Sequence, residues 1–303
     1  MKPDLFVILS VINKEMALKT RKRTKKKGIR IKNSKPLLSR KFGSSRCHPS
    51  VYRNNKTVKH CIPYNILQQL NVKSDKDALN KVSIEERSKL LTQYFRPEKP
   101  NDWDADPDMW LDNTNIAAVM KQYQDAYPNI FKFMGVFPID FAIKDPYNNG
   151  IQQCLVPALC KLNLKDEIEK GIKGIGIIYN LDSHDKEGSH WVAQYVDLKN
   201  AMAPIIYYFD SYGELPPPYV RIFMEELWKT TSANAKPKLV YNARRFQYGN
   251  SECGMYSMYF IISMLQGINF KKFVRSPVAD KYMIKLRDVL FFDNPIENRD
   301  DYR

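Results

Sequence analysis

Residues 253 to 266, CGMYSMYFIISMLQ, form a long apolar stretch that constrains the fold more than any other feature of the chain. A surface helix keeps one polar side, but this stretch has too many apolar positions for that and therefore predicts a buried helix. Gly267, a typical helix-ending residue, follows it directly. The 44% apolar content of the 303 residues is enough to build a sizeable core around such a helix.

Cys253 stands at the predicted start of this helix, and Gln247 lies six residues upstream. A cysteine attacks as the thiolate, and its pKa, about 8.5 in the free residue, falls near a helix N-terminus or a protonated histidine. The side-chain amide of glutamine, together with the backbone N–H of the cysteine, suits the binding of an oxyanion. The pattern predicts a thiol nucleophile beside its oxyanion donor, although a lone Cys-Gly before an apolar helix is also typical of a packed core thiol.

Two predicted strands supply a base and a carboxylate. His190 opens the alternating stretch 190–197, and Asp210 closes the apolar run 205–210. If the strands pair antiparallel about residue 200, His190 and Asp210 become direct cross-strand partners with Cβ atoms roughly 5 Å apart. A slip of one residue would spoil the pairing. Asp210 would then hold the imidazole tautomer, and His190 would accept the proton of Cys253.

These residues resemble a known family. The order His190, Asp210, Gln247, Cys253, with Trp191 after the histidine and Gly254 after the cysteine, is similar to that of the adenain and Ulp1-like cysteine proteases. Within that family the chain resembles the polyprotein-processing proteases of large DNA viruses of the asfarvirus and poxvirus type. The segment Trp110-Leu111-Asp112-Asn113 resembles the Trp-Leu-Asn-Asp segment of Ulp1-like enzymes, so the resemblance spans about residues 103 to 267.

The resemblance implies an α+β fold, a papain-like core with permuted chain order in which a central mixed sheet packs on a buried helix. It implies a cysteine-type endopeptidase that needs no metal or organic cofactor and cleaves after a Gly-containing sequence held in a narrow tunnel. Trp110 and Trp191 are implied as the substrate-binding roof of that tunnel. Trp110 is also consistent with a plain core residue, because apolar residues follow it at helical spacing.

The predicted function is a viral-type thiol protease that cleaves structural or scaffold polyproteins during virion maturation, located in the virion and at the assembly site in the host cytoplasm. An isopeptidase of the deubiquitinase or deSUMOylase type uses the same core and the same tunnel, and is the first alternative. The second is a nucleic-acid-binding virion protein with an inert protease core. The complete set of four catalytic residue types argues against it, because a scaffold has no need of them in this order.

The net charge of +15 is concentrated near the N-terminus. Residues 16 to 60 contain 16 Lys and Arg and no Asp or Glu, which leaves the rest of the chain nearly neutral. Residues 1–45 therefore predict a disordered basic tail that binds nucleic acid or another polyanion. Phe6 to Val11 is too short for a signal segment, no membrane partner is expected, and Met16 is an alternative start to Met1.

The sequence predicts that residues 46–98 form an N-terminal helical arm and that residues 99–303 form the protease core. Within the arm, Ser83-Ile84-Glu85-Glu86 is a capping box that opens a helix. The pairs Cys47-His48 and His60-Cys61 raise the alternative of a zinc site, but adjacent ligands strain tetrahedral chelation, so no metal is predicted.

The five cysteines, an odd number, show no paired framework, which predicts a reducing compartment. Cys154 and Cys160 flank an apolar run and are predicted to be core thiols. His184 lies in a polar loop and is predicted to be solvated, and Trp228 is predicted to pack in the core.

The remaining predictions concern the elements of the core. The patterns predict a helix at about 112–124, an extended stretch at 131–137, a central strand at 174–180, a helix at about 219–230 and a strand at 238–241.

Overall fold

The computed structural model describes residues 46–54, 58–143, 154–231 and 238–294. Contacts between residues divide the chain into two units, Met1–Trp103 with Lys285–Arg303, and Asp104–Ile284. The predicted basic tail, residues 1–45, lies outside the described residues. Of the helices in the described segments, none is both long enough and apolar enough to span a lipid bilayer.

The first unit is helical from its first described residues. Its elements are α1 (Pro49–Asn54), α2 (Tyr64–Gln69), α3 (Asp75–Lys81), α4 (Ile84–Tyr94) and a short 3₁₀ helix (Asn101–Asp104). The predicted capping box opens α4: Ser83 Oγ accepts the N–H of Glu86, and the Glu86 carboxylate accepts the N–H of Ser83. The pair satisfies two N–H groups that a helix start leaves without partners.

The first unit contains a disulfide, although the sequence predicted no paired framework. Cys47 is bonded to Cys61, so neither thiolate remains for the zinc site that was the alternative. The buried carboxylate of Asp75 supports the pair, because it accepts the N–H groups of Cys61 and Ile62 at 2.9 and 3.1 Å. Arg46 balances this buried charge with a hydrogen bond of 2.9 Å.

The second unit contains another disulfide, between Cys154 and Cys160. The prediction that both are core thiols is wrong, because Cys160 is exposed and Cys154 is half-buried. Four of the five cysteines are thus paired, and Cys253 is the free one. Flanking apolar residues predicted burial for Cys160, but its position at the end of a single-turn helix leaves it in solvent.

The second unit is built on a mixed five-stranded sheet, as predicted. The sheet order is β1 (Phe131–Pro138), β2 (Gly174–Asn180), β3 (Trp191–Asp197), β4 (Ile205–Phe209) and β5 (Leu239–Tyr241). The outer pairs β1–β2 and β4–β5 are parallel, and the inner pairs β2–β3 and β3–β4 are antiparallel. The α+β class is confirmed, and the permutation relative to papain stays a prediction.

Helices cover this sheet. They are α5 (Asn113–Ala126), α6 (Pro157–Cys160), α7 (Leu164–Glu169), α8 (Pro218–Lys229), α9 (Cys253–Leu265) and α10 (Phe270–Arg275), and α11 (Asp280–Leu290) begins in this unit. The predicted helices and strands agree with these bounds to within about two residues. Trp228, at the end of α8, is buried in the core as predicted.

The apolar helix α9 is the centre of this unit. All its residues from Cys253 to Met264 are buried, and it packs against β3 and α5. Burial of each large apolar side chain stabilises the fold by about 1.5–3 kcal/mol. Gly254 permits the close approach to α5 and the residue before its cap, since a Cβ atom there would lie 3.0 Å from Leu111 Cδ1 and 3.3 Å from Ile116 Cδ1. Gly176 on β2 serves the same purpose, since a Cβ atom there would lie 2.9 Å from Ile261 Cγ2.

The register of β3 and β4 differs from the predicted one. Gln194 pairs with Tyr208, and Val196 with Ile206, so the pairing is symmetric about residue 201 rather than residue 200. His190 and Asp210 therefore lie diagonally across the hairpin instead of directly opposite. Each residue of β3 thus pairs with a residue of β4 two positions away from the predicted one. This shift of two keeps both side chains on the same face of the sheet, because side chains alternate with a period of two.

We predict that replacing Cys47 and Cys61 by serine lowers the stability of the first unit by about 3 kcal/mol, because a closed loop of roughly 15 residues no longer constrains the unfolded chain. Hydrogen exchange of the amides in α2, α3 and α4 measures this change. Thiol titration of the denatured, unreduced wild-type protein should give one thiol. Five titrating thiols would contradict both disulfides.

Candidate active site

His190 and Asp210 meet at one end of the β3–β4 hairpin, since His190 directly precedes β3 and Asp210 directly follows β4. His190 Nε2 lies 2.9 Å from Asp210 Oδ1, and both residues are buried. Asn242 holds the main chain of Asp210: its Oδ1 accepts the Asp210 N–H at 2.9 Å, and its Nδ2 donates to the Asp210 carbonyl at 2.7 Å. The carboxylate is therefore presented to the imidazole in a fixed orientation, and the contact forms despite the changed register.

Cys253 is the first residue of α9, with 2% of its surface exposed. Its side chain interacts with the imidazole of His190 and raises the pKa of that ring. Because Nε2 of the imidazole faces Asp210, the nitrogen left for Cys253 is Nδ1. The first N–H groups of a helix have no acceptor within the helix, and the helix dipole is positive at this end. A negative charge on the sulfur is thus favoured both by the imidazole and by the helix.

The environment of His190 favours its protonated form. Burial alone lowers the pKa of the imidazole, but hydrogen bonds to Asp210 and Cys253, and the negative charges of both, raise it to about 9. His190 therefore carries a proton at neutral pH and loses it as the pH rises through about 9. A protonated imidazole beside a carboxylate can serve as a proton donor in catalysis.

Gln247 lies in the loop that leads into α9, and its side-chain amide is fixed at both ends. Ser211 Oγ donates to Gln247 Oε1 at 2.7 Å, and Gln247 Nε2 donates to the carbonyl of Gly249 at 3.1 Å. Gln247 Nε2 also makes a longer contact of 3.5 Å with the Tyr212 hydroxyl, and together these bonds define which end of the amide is the donor. Gln247 joins the other three residues through Ser211, the neighbour of Asp210 in the sequence.

Asp280 holds the same loop from the outside. Its Oδ2 accepts the N–H groups of Tyr248 and Gly249 at 3.0 and 2.9 Å, and its Oδ1 accepts the Tyr256 hydroxyl at 2.8 Å. Tyr256 belongs to α9, so one carboxylate ties the loop to the helix that carries the cysteine. The carbonyl of Gly249, which orients Gln247, is thereby fixed as well.

A cleft of about 420 Å³ lies beside this group and is lined by Ser189 and Trp191, the two neighbours of His190. The start of α5, the end of β1 and the loop between β2 and β3 form its other walls. Trp191 Nε1 donates to the carbonyl of Leu111 at 2.9 Å, which joins two of these walls. Trp110 also lines the cleft and is 44% exposed, so its alternative interpretation as a plain core residue is wrong.

His184 lines the same cleft. The sequence predicted a solvated side chain, but the structure gives it a partner. Its Nδ1 lies 2.7 Å from Asp140 Oδ2, and its backbone N–H donates to Asp140 Oδ1 at 3.0 Å. The two bonds fasten the loop between β2 and β3, which ends at His190, to the segment that follows β1. The partner lies 44 residues away, so the local sequence gave no indication of it.

Comparison with known proteins agrees with this geometry. Residues 175–301 match the family described as the Ulp1 protease family, C-terminal catalytic domain. This segment, which is less than half of the chain, resembles the catalytic domain of that family. The match supports a cysteine-type peptidase, which fits a free cysteine that raises the pKa of His190.

The relatives of this chain include viral proteases. A putative thiol protease of Acanthamoeba polyphaga mimivirus is 32% identical over 213 residues, which cover 70% of this chain and 65% of that protein. A SUMO-1 cysteine protease of African swine fever virus is 31% identical over 127 residues, which cover 41% of this chain and 46% of that protein. The chain thus spans less than two thirds of the length of either relative.

A solved structure shares the fold. The crystal structure of the African swine fever virus protease has a TM-score of 0.62 to this chain at 21% sequence identity, and the match covers 82% of this chain and 96% of that one. The α+β architecture is therefore that of a known Ulp1-like protease.

Sequence reasoning missed four residues of this site, which are Ser211, Tyr212, Asn242 and Asp280. All four act through contacts with residues distant in the sequence, or through the backbone, so no local motif marks them. One indication was present: Gly213 follows Asp210-Ser211-Tyr212 and predicts a tight turn, which the structure contains with Gly213 at a φ of 82°.

We predict that Cys253→Ala lowers the pKa of His190 below about 9, because the anionic sulfur that favours the imidazolium is removed. NMR titration of the histidine ring resonances in both proteins measures the shift. Cys253→Ser is the matched variant: its neutral hydroxyl keeps a partner of similar size but no charge, so the pKa should fall there too. An unchanged pKa in both variants would show that Cys253 carries no charge in the wild type.

Proposed function

We propose that this protein is a cysteine endopeptidase that cleaves structural or scaffold polyproteins after Gly-containing sequences during the maturation of a virus particle. The observation that carries the proposal is the 2.9 Å contact between His190 Nε2 and Asp210 Oδ1, together with Cys253 at the start of α9 and the pKa of His190 raised to about 9. Relatives from two large DNA viruses support the viral context, and with it a location in the virion and at the assembly site.

The catalytic roles follow from the contacts. The Cys253 thiolate attacks the carbonyl carbon of the scissile bond, and the oxyanion that forms accepts hydrogen bonds from the backbone N–H of Cys253 and from a side-chain N–H of Gln247, in place of its 3.5 Å contact with Tyr212. His190 then donates its Nδ1 proton to the leaving amine, and the C–N bond breaks. Afterwards neutral His190 accepts a proton from the water that hydrolyses the thioester. Asp210 stabilises the imidazolium and keeps the ring in place.

Substrate binding is proposed for Trp110 and Trp191. Both line the cleft beside His190, and the indole N–H of Trp191 is already used by the carbonyl of Leu111, so this ring presents an apolar surface. We propose that the two rings enclose a slot with room for a backbone but little room for a side chain. A glycine before the scissile bond is the residue that fits such a slot.

An isopeptidase acting on ubiquitin-like modifiers is the second candidate. The relative from African swine fever virus is named a SUMO-1 cysteine protease, and this name favours the candidate. Fluorogenic SUMO and ubiquitin substrates, assayed beside a peptide with the same C-terminal residues, separate the two functions. An isopeptidase gains most of its kcat/KM from the folded modifier, whereas a polyprotein protease does not.

An inert core that serves only to bind nucleic acid is not favoured. Asp210 and His190 are buried side by side, and burial of charged groups costs several kcal/mol unless they are paired. A scaffold would gain more stability from apolar residues at these positions.

We predict that Cys253→Ala abolishes cleavage of co-encoded structural proteins, because the nucleophile is lost. We also predict that Gln247→Ala lowers kcat by roughly 100- to 1,000-fold with little change in KM, because an oxyanion donor acts in the transition state. Mapping of new N-termini and steady-state kinetics on a derived peptide measure both effects. Gln247→Glu, of the same size but without the N–H donors, should lose as much. A Gln247→Ala variant that changes only KM would assign this residue to substrate binding.

We predict that kcat/KM falls steeply when the residue before the scissile bond changes from Gly to Ala and then to Val, because each added carbon must enter the slot between Trp110 and Trp191. The same series with Trp110→Ala is the matched comparison, and there the dependence on side-chain size should weaken. Equal kcat/KM across the wild-type series would refute the tunnel.

A further inference from the structure

Tyr212 touches three parts of the site at once. Its backbone N–H donates to Asp210 Oδ1 at 2.7 Å, the oxygen that also lies 2.9 Å from His190 Nε2. Its ring is stacked on the imidazole of His190, with the centroids 4.6 Å apart and the planes 19° from parallel. Its hydroxyl donates to the carbonyl of Gly249 at 3.2 Å, the carbonyl that orients Gln247.

A tight turn places Tyr212 over the imidazole. The N–H of Gly213 donates to the carbonyl of Asp210 at 2.9 Å, and Gly213 has a φ of 82°, which favours glycine. A Cβ atom at this position would also lie 2.8 Å from the carbonyl carbon of Arg244. The carbonyl of Ser211 accepts the N–H groups of Phe246 and Gln247 at 2.8 and 2.9 Å, which fixes the turn to the neighbouring segment.

Arg245 adds a cation to the outer part of this arrangement. Its guanidinium carbon lies 5.1 Å from the ring centroid of Tyr212 and 5.1 Å from that of Tyr248. Its Nε donates to the carbonyl of Gln247 at 2.7 Å. Tyr248 is 74% exposed, so Tyr212 is the one of these two rings that separates the imidazole from solvent.

We propose that Tyr212 is a positioning residue, whose stacked ring fixes the plane of the His190 imidazole so that Nδ1 faces Cys253 while Nε2 stays on Asp210. The hydrogen bond to Asp210 anchors one edge of the imidazole but leaves the ring free to tilt about that edge. A parallel aromatic ring at van der Waals distance restricts this tilt, and its electron-rich face favours the protonated ring. The proposal rests on the proposed peptidase function only where it predicts the kinetics of peptide cleavage.

The ionisation of Tyr212 is consistent with this role. Burial raises the pKa of its hydroxyl, the negative charge of Cys253 raises it further, and Arg245 opposes both. The hydroxyl therefore stays protonated at neutral pH and remains a donor to Gly249. The ring stays uncharged and does not repel the thiolate.

The test separates the stacked ring from the hydroxyl. Tyr212→Phe keeps the ring and loses the hydroxyl contacts with Gly249 and Gln247, whereas Tyr212→Leu keeps apolar bulk and loses both the stack and the hydroxyl contacts. Tyr219→Leu, on the exposed side of α8, is the control for loss of a tyrosine elsewhere. Circular dichroism and melting temperature identify any variant that fails to fold, and Tyr212→Trp, which restores a stacked ring, provides a second comparison for the leucine variant.

The first measurement is the rate at which iodoacetamide alkylates Cys253, as a function of pH. Cys253 is the free cysteine, so no peptide substrate is needed and the result stands whether or not the peptidase function is correct. At pH 7 the rate should fall about tenfold in Tyr212→Leu, the size of effect expected from an aromatic pair, and should remain near wild type in Tyr212→Phe and Tyr212→Trp. The pH profile of the leucine variant should shift towards that of an isolated thiol.

The second measurement is kcat and KM on a cleaved peptide. Tyr212→Leu should lower kcat about as much as it lowers the alkylation rate and leave KM nearly unchanged, because the imidazole and not the substrate is displaced. An alkylation rate and pH profile identical to those of the wild type would overturn the proposal. Equal losses in the leucine and phenylalanine variants would also overturn it, because they would assign the effect to the hydroxyl. Absence of any peptide cleavage by the wild type, with the alkylation result as expected, would reject the peptidase function alone.

Discussion

The position of the site depends on the burial of α9. This helix is covered on all sides, so its N-terminus has little freedom to move, and Cys253 is fixed by the packing of residues one to three turns away from it. Gly254 allows the first turn to lie against Leu111, and Gly176 allows the strand β2 to approach the helix farther along. The remaining catalytic groups lie at the ends of strands and in loops, and they are arranged around this fixed point.

Electrostatics then act on a site from which water is largely excluded. His190, Asp210, Gln247 and Cys253 are all at least nine-tenths buried, so each charge depends on a partner and not on solvent. Asp210 provides that partner for the imidazolium, and its own position is held by Asn242 and by the backbone N–H of Tyr212. A buried ion pair is costly unless it is hydrogen-bonded, and here Asp210 Oδ1 accepts the N–H of Tyr212 and lies 2.9 Å from His190 Nε2.

The sequence predicted the sheet, the helix that carries the cysteine and the face of the hairpin that carries His190 and Asp210, because these follow from hydrophobic periodicity and chain order. The exact register of the hairpin did not follow, since the connecting loop is long and only the alternation of side chains is fixed. Disulfides were missed because pairing depends on distances that cysteine spacing does not give. His184, Asn242 and Asp280 were missed for the same reason, as their partners lie 31 or more residues away. The catalytic and binding roles of the predicted residues stay predictions until they are tested by mutation.

Leu111 limits how the cleft could be redesigned. Its side chain fills the space above Gly254, where any Cβ atom would lie within 3.0 to 3.2 Å of it, and its carbonyl accepts the indole N–H of Trp191. Its neighbour Trp110 forms part of the cleft wall. The surface that would select a ligand and the helix that carries the thiol are therefore joined by one residue, and they do not form separate modules. Attempts to redesign the selectivity of this scaffold by exchanging residues 110 to 113 as a cassette will displace the reactive sulfur unless Leu111 is retained.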